Sequence, residues 1–363
     1  MRTRRAAMHC SFTSSGGRRA AGFSPGGRAW LQPPGAAVRA RLGNTIRPAA
    51  VGCAVGALAL CVSQGRAAVR VVTTTPALAD ITRQIGGDFV DIDSVMRGPE
   101  DIHNVQAKPS HMMMVKRADL FIHSGLDAEL WAPLLLKGAR KRELLPGGDG
   151  NVDVSRGITL KEVPRRGEAT RALGDIHAYG NIHYLLDPLN GVIVGRNITD
   201  ALKRADPAHA EAFEARYQEF AARLRDLAGR LEARTKPYAG ARVVVYHRTW
   251  PYFLDRFGLV AVDEIEPKPG VSPGPQHLAD CVETMRATDT RVVIVESFNS
   301  LSNAESVATR VGGQAVVLAQ EVKALSQADT YEKLFEYNVE TLIRALEATG
   351  KAKTPSTPVA GDP

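Results

Sequence analysis

Beyond residue 68 the chain has one cysteine, Cys281; Cys10, Cys53 and Cys61 all precede it. A single thiol makes neither an internal disulfide nor a thiolate metal cluster, so any metal site in the body must draw on His, Asp or Glu. Residues 1–68 lack lysine and any acidic residue but hold ten arginines. Removing those ten leaves 36 basic against 39 acidic groups, so the +7 of the whole chain becomes −3 in the body. That balance excludes the basic footprint of a nucleic-acid binder, and no nucleic-acid partner is expected. No apolar run reaches the ~20 residues of a membrane span. No GxGxxG follows the first strand-like segment, 69–75, which argues against a dinucleotide enzyme. No HExxH pair sets a metal geometry by itself.

Residues 49–63 (AAVGCAVGALALCVS) form a short apolar run behind Arg39, Arg41 and Arg47. Gln64-Gly65-Arg66-Ala67-Ala68 follows, with small residues where a signal peptidase would cut. This order of charge, apolar run and small-residue exit reads as a secretory signal peptide, with the mature chain starting near Val69. Residues 1–37, rich in Gly, Arg and Pro, read as an unstructured extension or as sequence upstream of the true start. Leu60 precedes Cys61 and no apolar stretch precedes Cys53, so a lipid anchor is disfavoured. The expected product is a soluble, exported, periplasmic protein without a lipid anchor.

Short runs rich in β-branched residues mark strands at 69–75, 90–96, 120–123, 242–247, 259–265, 291–296 and 314–319. Helical patterns at 77–85, 109–117, 276–287 and 302–311 alternate with them, implying parallel sheets covered on both faces. Between the two strand groups, Phe213, Tyr217, Phe220, Leu224, Leu227 and Leu231 recur at steps of four and three. That spacing predicts a long helix over 207–234 with one apolar stripe. Asp206-Pro207 opens it and Pro237 stops it. The expected fold is α/β: two lobes, each a mainly parallel sheet flanked by helices, joined by one long rigid helix. The boundaries read as a leader 1–68, a first lobe 69–200, a linking helix 201–236, a second lobe 237–352 and a disordered tail 353–363. Segment 137–175 reads as mostly loop.

The histidines carry the chemistry. His247 ends the strand run 242–247, and His103 follows the run 90–96 in a turn-like segment. Ligands of open α/β sheets bind beyond the carboxyl ends of strands, so both belong to cleft rims. His183 lies in Gly180-Asn181-Ile182-His183-Tyr184-Leu185-Leu186-Asp187-Pro188, a loop entering a helix. Three neutral imidazoles from three loops suit zinc. His177 is a reserve ligand and His123 a supporting group. His111 reads as a surface residue, and His209 and His277 as solvated residues in helix first turns.

These segments resemble the metal-binding solute receptors of zinc and manganese ABC importers, over about residues 69–350. The motifs are Asp101-Ile102-His103 with Lys108-Pro109-Ser110, Asn181-Ile182-His183 with Leu186-Asp187-Pro188, and His247 ahead of Asp255-Arg256-Phe257-Gly258-Leu259. Glu264-Ile265-Glu266-Pro267, Glu296, and Tyr331 with Tyr337-Asn338 follow in order. Isoleucine replaces the family proline before both His103 and His183, Leu185 replaces a tryptophan, and 137–175 holds no histidine.

The resemblance implies a receptor, not an enzyme. It would capture Zn²⁺, with Mn²⁺ the lesser expectation, and deliver it as a monomer to an inner-membrane permease with its ATPase subunit. It also implies an acid from the second lobe as fourth ligand. Asp329 is the expected one, with Glu296, His177 or water as alternatives. A helix N-cap is the plainer reading of Asp329, and support of a histidine that of Glu296. The rivals are an exported zinc-dependent hydrolase, with Glu296 as its base, and a manganese receptor or adhesin on the same scaffold.

Overall fold

The computed structural model describes residues 67–164, 178–268 and 270–350. The expected leader, His177 and the expected tail lie outside the described residues. In the first half, β1 (Val69–Thr73), β2 (Val90–Ser94), β3 (Leu120–His123) and β4 (Asn151–Asp153) form one sheet in the order β2-β1-β3-β4. In the second, β5 (Arg242–Val245), β6 (Val260–Glu264), β7 (Val292–Glu296) and β8 (Gln314–Leu318) repeat that plan as β6-β5-β7-β8. Every pairing is parallel. Strands buried on both faces need apolar residues at successive positions, which is why β7 reads Val-Val-Ile-Val and is buried throughout. In each sheet the order reverses beside the first strand, and the crevice beyond the carboxyl ends there is where α/β sheets hold ligands.

Prolines open five of the helices: α1 (Pro76–Gly86), α2 (Pro109–Arg117), α4 (Pro188–Ala205), α6 (Pro251–Arg256) and α7 (Pro275–Ala287). A first-turn N–H has no partner within the helix, so proline loses nothing there, and its fixed φ is already helical. The set is completed by α3 (Ala132–Ala139), α5 (Ala210–Thr235), α8 (Leu301–Thr309) and α9 (Tyr331–Ala348). The segment expected to be mostly loop therefore holds the end of α3 and the whole of β4. Helix α4 runs through residue 200, where the sequence pattern placed the end of the first lobe.

The long helix forms as its apolar spacing predicts. A 3₁₀ turn, Pro207–His209, precedes the 26 α-helical residues of α5, about 39 Å of rod. All six stripe residues are buried. They pack against α1 and α4 on one side and α9 on the other. One apolar core runs under both sheets through this helix, joining Val71 and Ile122 to Val243 and Ile294. Each fully buried Leu or Phe contributes about 1.5–3 kcal/mol relative to exposure, so the rod is held rigidly to both lobes. The outer face of each sheet packs separately, around Phe121 and Leu135 in the first and Val293 and Met285 in the second.

Candidate metal centre

His103, His183 and His247 converge between the two sheets. Their ring centroids stand 5.8 Å apart in all three pairings, with the planes steeply inclined. One nitrogen from each lies within 4.8 Å of the others, and this is the group among the described residues able to hold a metal ion. His247 is buried; His103 and His183 are half-buried. The arrangement suits a trigonal face of nitrogen donors closing on one ion at about 2.0–2.1 Å each.

Each histidine is held by backbone hydrogen bonding. Asp101 caps the 3₁₀ turn Ile102–Asn104, its Oδ1 accepting from His103 N at 3.0 Å. Trp131 Nε1 donates to Ile102 O at 2.8 Å. Upstream, Gly98 takes a φ of 131°, and a Cβ there would meet the Lys323 backbone at 2.5 Å, so only glycine lets this loop pass the β8–α9 connection. His183 N donates to Asn181 Oδ1 at 3.0 Å. Asn181 Nδ2 in turn donates to Arg248 O at 2.8 Å, beside His247.

The loop of His183 is fastened from both lobes. Tyr184 Oη donates to Ser124 O, Tyr252 Oη to Asn181 O and Tyr331 Oη to Leu185 O. Asp187 caps α4 by accepting from Leu189 N. It also receives Arg256 through Nε at 2.9 Å and Nη2 at 2.7 Å, a planar fork fitted to a carboxylate. These contacts account for Asp187, Arg256 and Tyr331 in the motif segments. Asn338, also in those segments, closes the end of β8 by pairing with Ala319 N and O.

His247 Nδ1 faces Glu266 Oε2 at 2.6 Å, which leaves Nε2 for the centre. Burial lowers its pKa, but the Glu266 hydrogen bond and the charges of Glu296, Glu266 and Asp101 outweigh it and set the pKa above the ordinary value. Sequence reading gave Glu266 no role; its one signal was the Glu-Ile-Glu-Pro segment. Glu296 is fully buried, Oε1 accepting from Trp250 Nε1 at 2.6 Å and Oε2 from Asn299 Nδ2 at 2.9 Å. Burial pushes its pKa up, against the lowering pull of His247. With both oxygens engaged, it fits the supporting position better than that of a ligand.

Asp329 is not brought to the triangle. It is exposed, and its carboxylate pairs with Lys333 at 2.9 Å, which holds its pKa below the usual range. Nor does it cap α9: that is done by Thr330, whose side chain accepts from Lys333 N. His123 lies outside the group, with Nδ1 accepting from Gly125 N and Nε2 facing Asn151 Oδ1. His209 is stacked on Phe89 and bonded to Asp206, and His277 Nε2 faces Glu264 O, so neither is simply solvated. A cavity of about 50 Å³ adjoins the triangle, walled in part by His183, Asp101, Thr249, Gln320 and Glu321. Burial raises Glu321 to a pKa of about 7.

Two α/β lobes with three histidines converging between their sheets fit the class of metal-binding solute receptors. Residues 71–345 match the family model described as "Zinc-uptake complex component A periplasmic". The chain belongs to this family, the solute receptors of metal ABC importers, and is not an enzyme. A metal ABC transporter substrate-binding lipoprotein of Streptococcus cristatus is 25% identical over 307 residues, covering 80% of this chain and 94% of that one. A manganese ABC transporter substrate-binding lipoprotein of Streptococcus pneumoniae is 24% identical over 290 residues, covering 77% and 89%. The crystal structure of ZnuA superposes with a TM-score of 0.65 at 22% identity, over 77% of this chain and 99% of that one. A Mn-bound periplasmic metal-binding protein of Candidatus Liberibacter asiaticus gives 0.62 at 22%, over 76% and 99%. Both sequence relatives are named lipoproteins, which speaks against the expectation of a protein without a lipid anchor. Among the described residues no helix is long and apolar enough to cross a membrane.

Proposed function

We propose that the chain captures Zn²⁺ outside the cytoplasm through His103, His183 and His247 and delivers it, as a single chain, to a membrane permease driven by its ATPase subunit. The observation that carries this reading is the triangle of three imidazoles at equal 5.8 Å spacing. Neutral nitrogen donors favour zinc, whereas manganese lies at the bottom of the affinity order and suits carboxylate and water oxygens. Asp329 is left out of the ligand set because its carboxylate is paired with Lys333 in solvent. A manganese receptor is the second reading, supported by the names of relatives such as the Streptococcus pneumoniae protein. Chelator competition on metal-free protein tests the choice. Zinc should bind at least about 100-fold more tightly than manganese; equal affinities, or a preference for manganese, would overturn the zinc assignment.

A further inference from the structure

We propose that the cavity beyond the carboxyl ends of β3 and β4 is a second ligand site, for a free amino acid with an apolar side chain, and that filling it steadies the two histidine loops of the first lobe. The site stands by itself; its coupling to metal rests on the three-histidine reading above.

His123 and Asp153, the last residues of β3 and β4, line a cavity of about 340 Å³, distinct from the one beside the triangle. Small-molecule sites usually measure ~300–1,000 Å³, so this one suits a small ligand. It also lies where the ligands of parallel sheets bind. Phe121, Leu136 and Pro133 give it apolar surface. Three carboxylates, Asp127, Glu129 and Asp153, stand in its wall against one guanidinium, Arg156.

Glu129 carries the argument. It is 5% exposed, and its Oε1 accepts from Thr74 Oγ1 at 2.6 Å and from Ser124 N at 2.9 Å. Oε2 takes no hydrogen bond among the described residues, so it is the oxygen left for a ligand. A buried carboxylate calls for a donor, and best for a charged one. His123 does not supply it: Nδ1 accepts from Gly125 N at 3.2 Å, and Nε2 is turned to Asn151 Oδ1 at 3.0 Å. An ammonium group meets the need. Arg156, exposed at the rim, has no acidic partner among the described residues, and its planar fork is fitted to a carboxylate. An ammonium and a carboxylate on one small molecule, with an apolar body against Phe121 and Leu136, describe an apolar amino acid.

The turn between β3 and α3 forms one side of the cavity. Gly125, Leu126 and Asp127 take φ values of 71°, 56° and 56°, three successive left-handed residues of which two are not glycine. Strain of this kind persists only where its surroundings hold it, and it clusters at ligand clamps. A Cβ at Gly125 would stand 2.1 Å from Asp153 Oδ1, so the turn and this carboxylate fit without slack. The same segment is fastened to both histidine loops. Ser124 O accepts from Tyr184 Oη, next to His183, and Trp131 Nε1 donates to Ile102 O, next to His103. A ligand that grips Glu129 and Asp153 braces the turn and, through it, both loops.

Calorimetry on the full chain, freed of metal, tests the site with L-leucine as the probe. Leucine should bind one to one. Isocaproate, which lacks the ammonium, and isoamylamine, which lacks the carboxylate, should each bind at least about tenfold more weakly, the scale of one charge-assisted contact. Glu129→Gln keeps an oxygen for Thr74 and Ser124 but loses the charge, and should bind leucine at least about tenfold more weakly. Arg156→Gln, at an exposed position, should weaken leucine binding about tenfold and leave isoamylamine binding unchanged. With one equivalent of zinc bound, leucine should bind at least about fivefold more tightly, because coupling between two sites is reciprocal. Absence of leucine binding in the wild-type protein, or wild-type affinity in both variants, overturns the site. Equal leucine affinity with and without zinc overturns the coupling. Failure of the three-histidine reading shows separately, as zinc binding that survives His183→Ala unchanged.

Discussion

His247 Nδ1 lies 2.6 Å from Glu266 Oε2, and this contact decides which nitrogen of the ring turns toward His103 and His183. The carboxylate comes from just beyond β6 and the histidine from just beyond β5, neighbouring strands of the second sheet. A parallel pair thus delivers the proposed ligand and its orienting group from adjacent carboxyl ends.

Glu266→Ala should weaken zinc binding about 10–100-fold at pH 8, because the ring loses its orienting partner. The pH dependence should shift as well. In the wild-type protein the pKa of His247 is raised. Proton competition with zinc therefore sets in as pH falls through a value above the ordinary ~6.5. Without Glu266 its hydrogen bond and charge no longer raise the pKa, so the onset moves to lower pH. Apo stability has the matching sign. The protonated His247–Glu266 pair contributes fully below the unfolded pKa, and its contribution is lost as pH rises through the folded one. The variant should lose more thermal stability at pH 6 than at pH 9. Zinc titrations and thermal melts at several pH values check both.

His103→Ala, His183→Ala and His247→Ala should each weaken zinc binding by more than about 100-fold, beyond the loss typical of an orienting group. His111→Ala and His209→Ala, outside the triangle, should leave it unchanged. Calorimetry with a competing chelator distinguishes the two sets. Retention of wild-type affinity by any of the first three removes that residue from the site.

Asp329→Asn should change zinc affinity by less than about twofold, since the carboxylate faces Lys333 in solvent. Thr330→Ala, by contrast, should destabilise the fold by about 0.5–2 kcal/mol through loss of the α9 cap. Denaturant unfolding of the apo protein measures the second effect. A larger loss in Asp329→Asn than in Thr330→Ala would contradict this division of roles.

Gly191→Ala should disturb the junction between α4 and α9. A Cβ at Gly191 would stand 2.4 Å from Tyr331 Cε1, and Tyr331 Oη donates to Leu185 O in the loop of His183. Overpacking of this kind costs about 1–3 kcal/mol. Zinc affinity should fall along with stability, because the displaced ring anchors a ligand-bearing loop. Unchanged affinity in a destabilised variant would show that the loop is held without Tyr331.

Much of the scaffold was legible along the chain. The 4-3-4-3 stripe of α5 is a local property, set by the helical period, and all six residues proved buried. Short apolar or β-branched runs marked seven of the eight strands. The eighth, Asn151–Asp153, has three residues and borrows its order from β3, so its own composition carried no signal. Helix α4, with Asn190, Gly191 and Gly195 among its buried residues, lacks a clean apolar period because both α5 and the first sheet pack against it.

What the sequence by itself determined is the inventory: three histidines, each in a loop between regular elements, and no thiols in the body to compete with them beyond Cys281. It also set the elements that carry them, since strand and helix patterns repeat over a few residues. Which acid stands beside which histidine was decided only by tertiary structure. Asp329 and Glu266 are equally acidic in the chain. One meets Lys333, four residues on in the first turn of α9, and the other meets His247, nineteen residues away, across a strand pair. A carboxylate is satisfied by whichever donor the packed backbone brings within about 3 Å. That distance depends on sheet order and loop path, which no local pattern encodes.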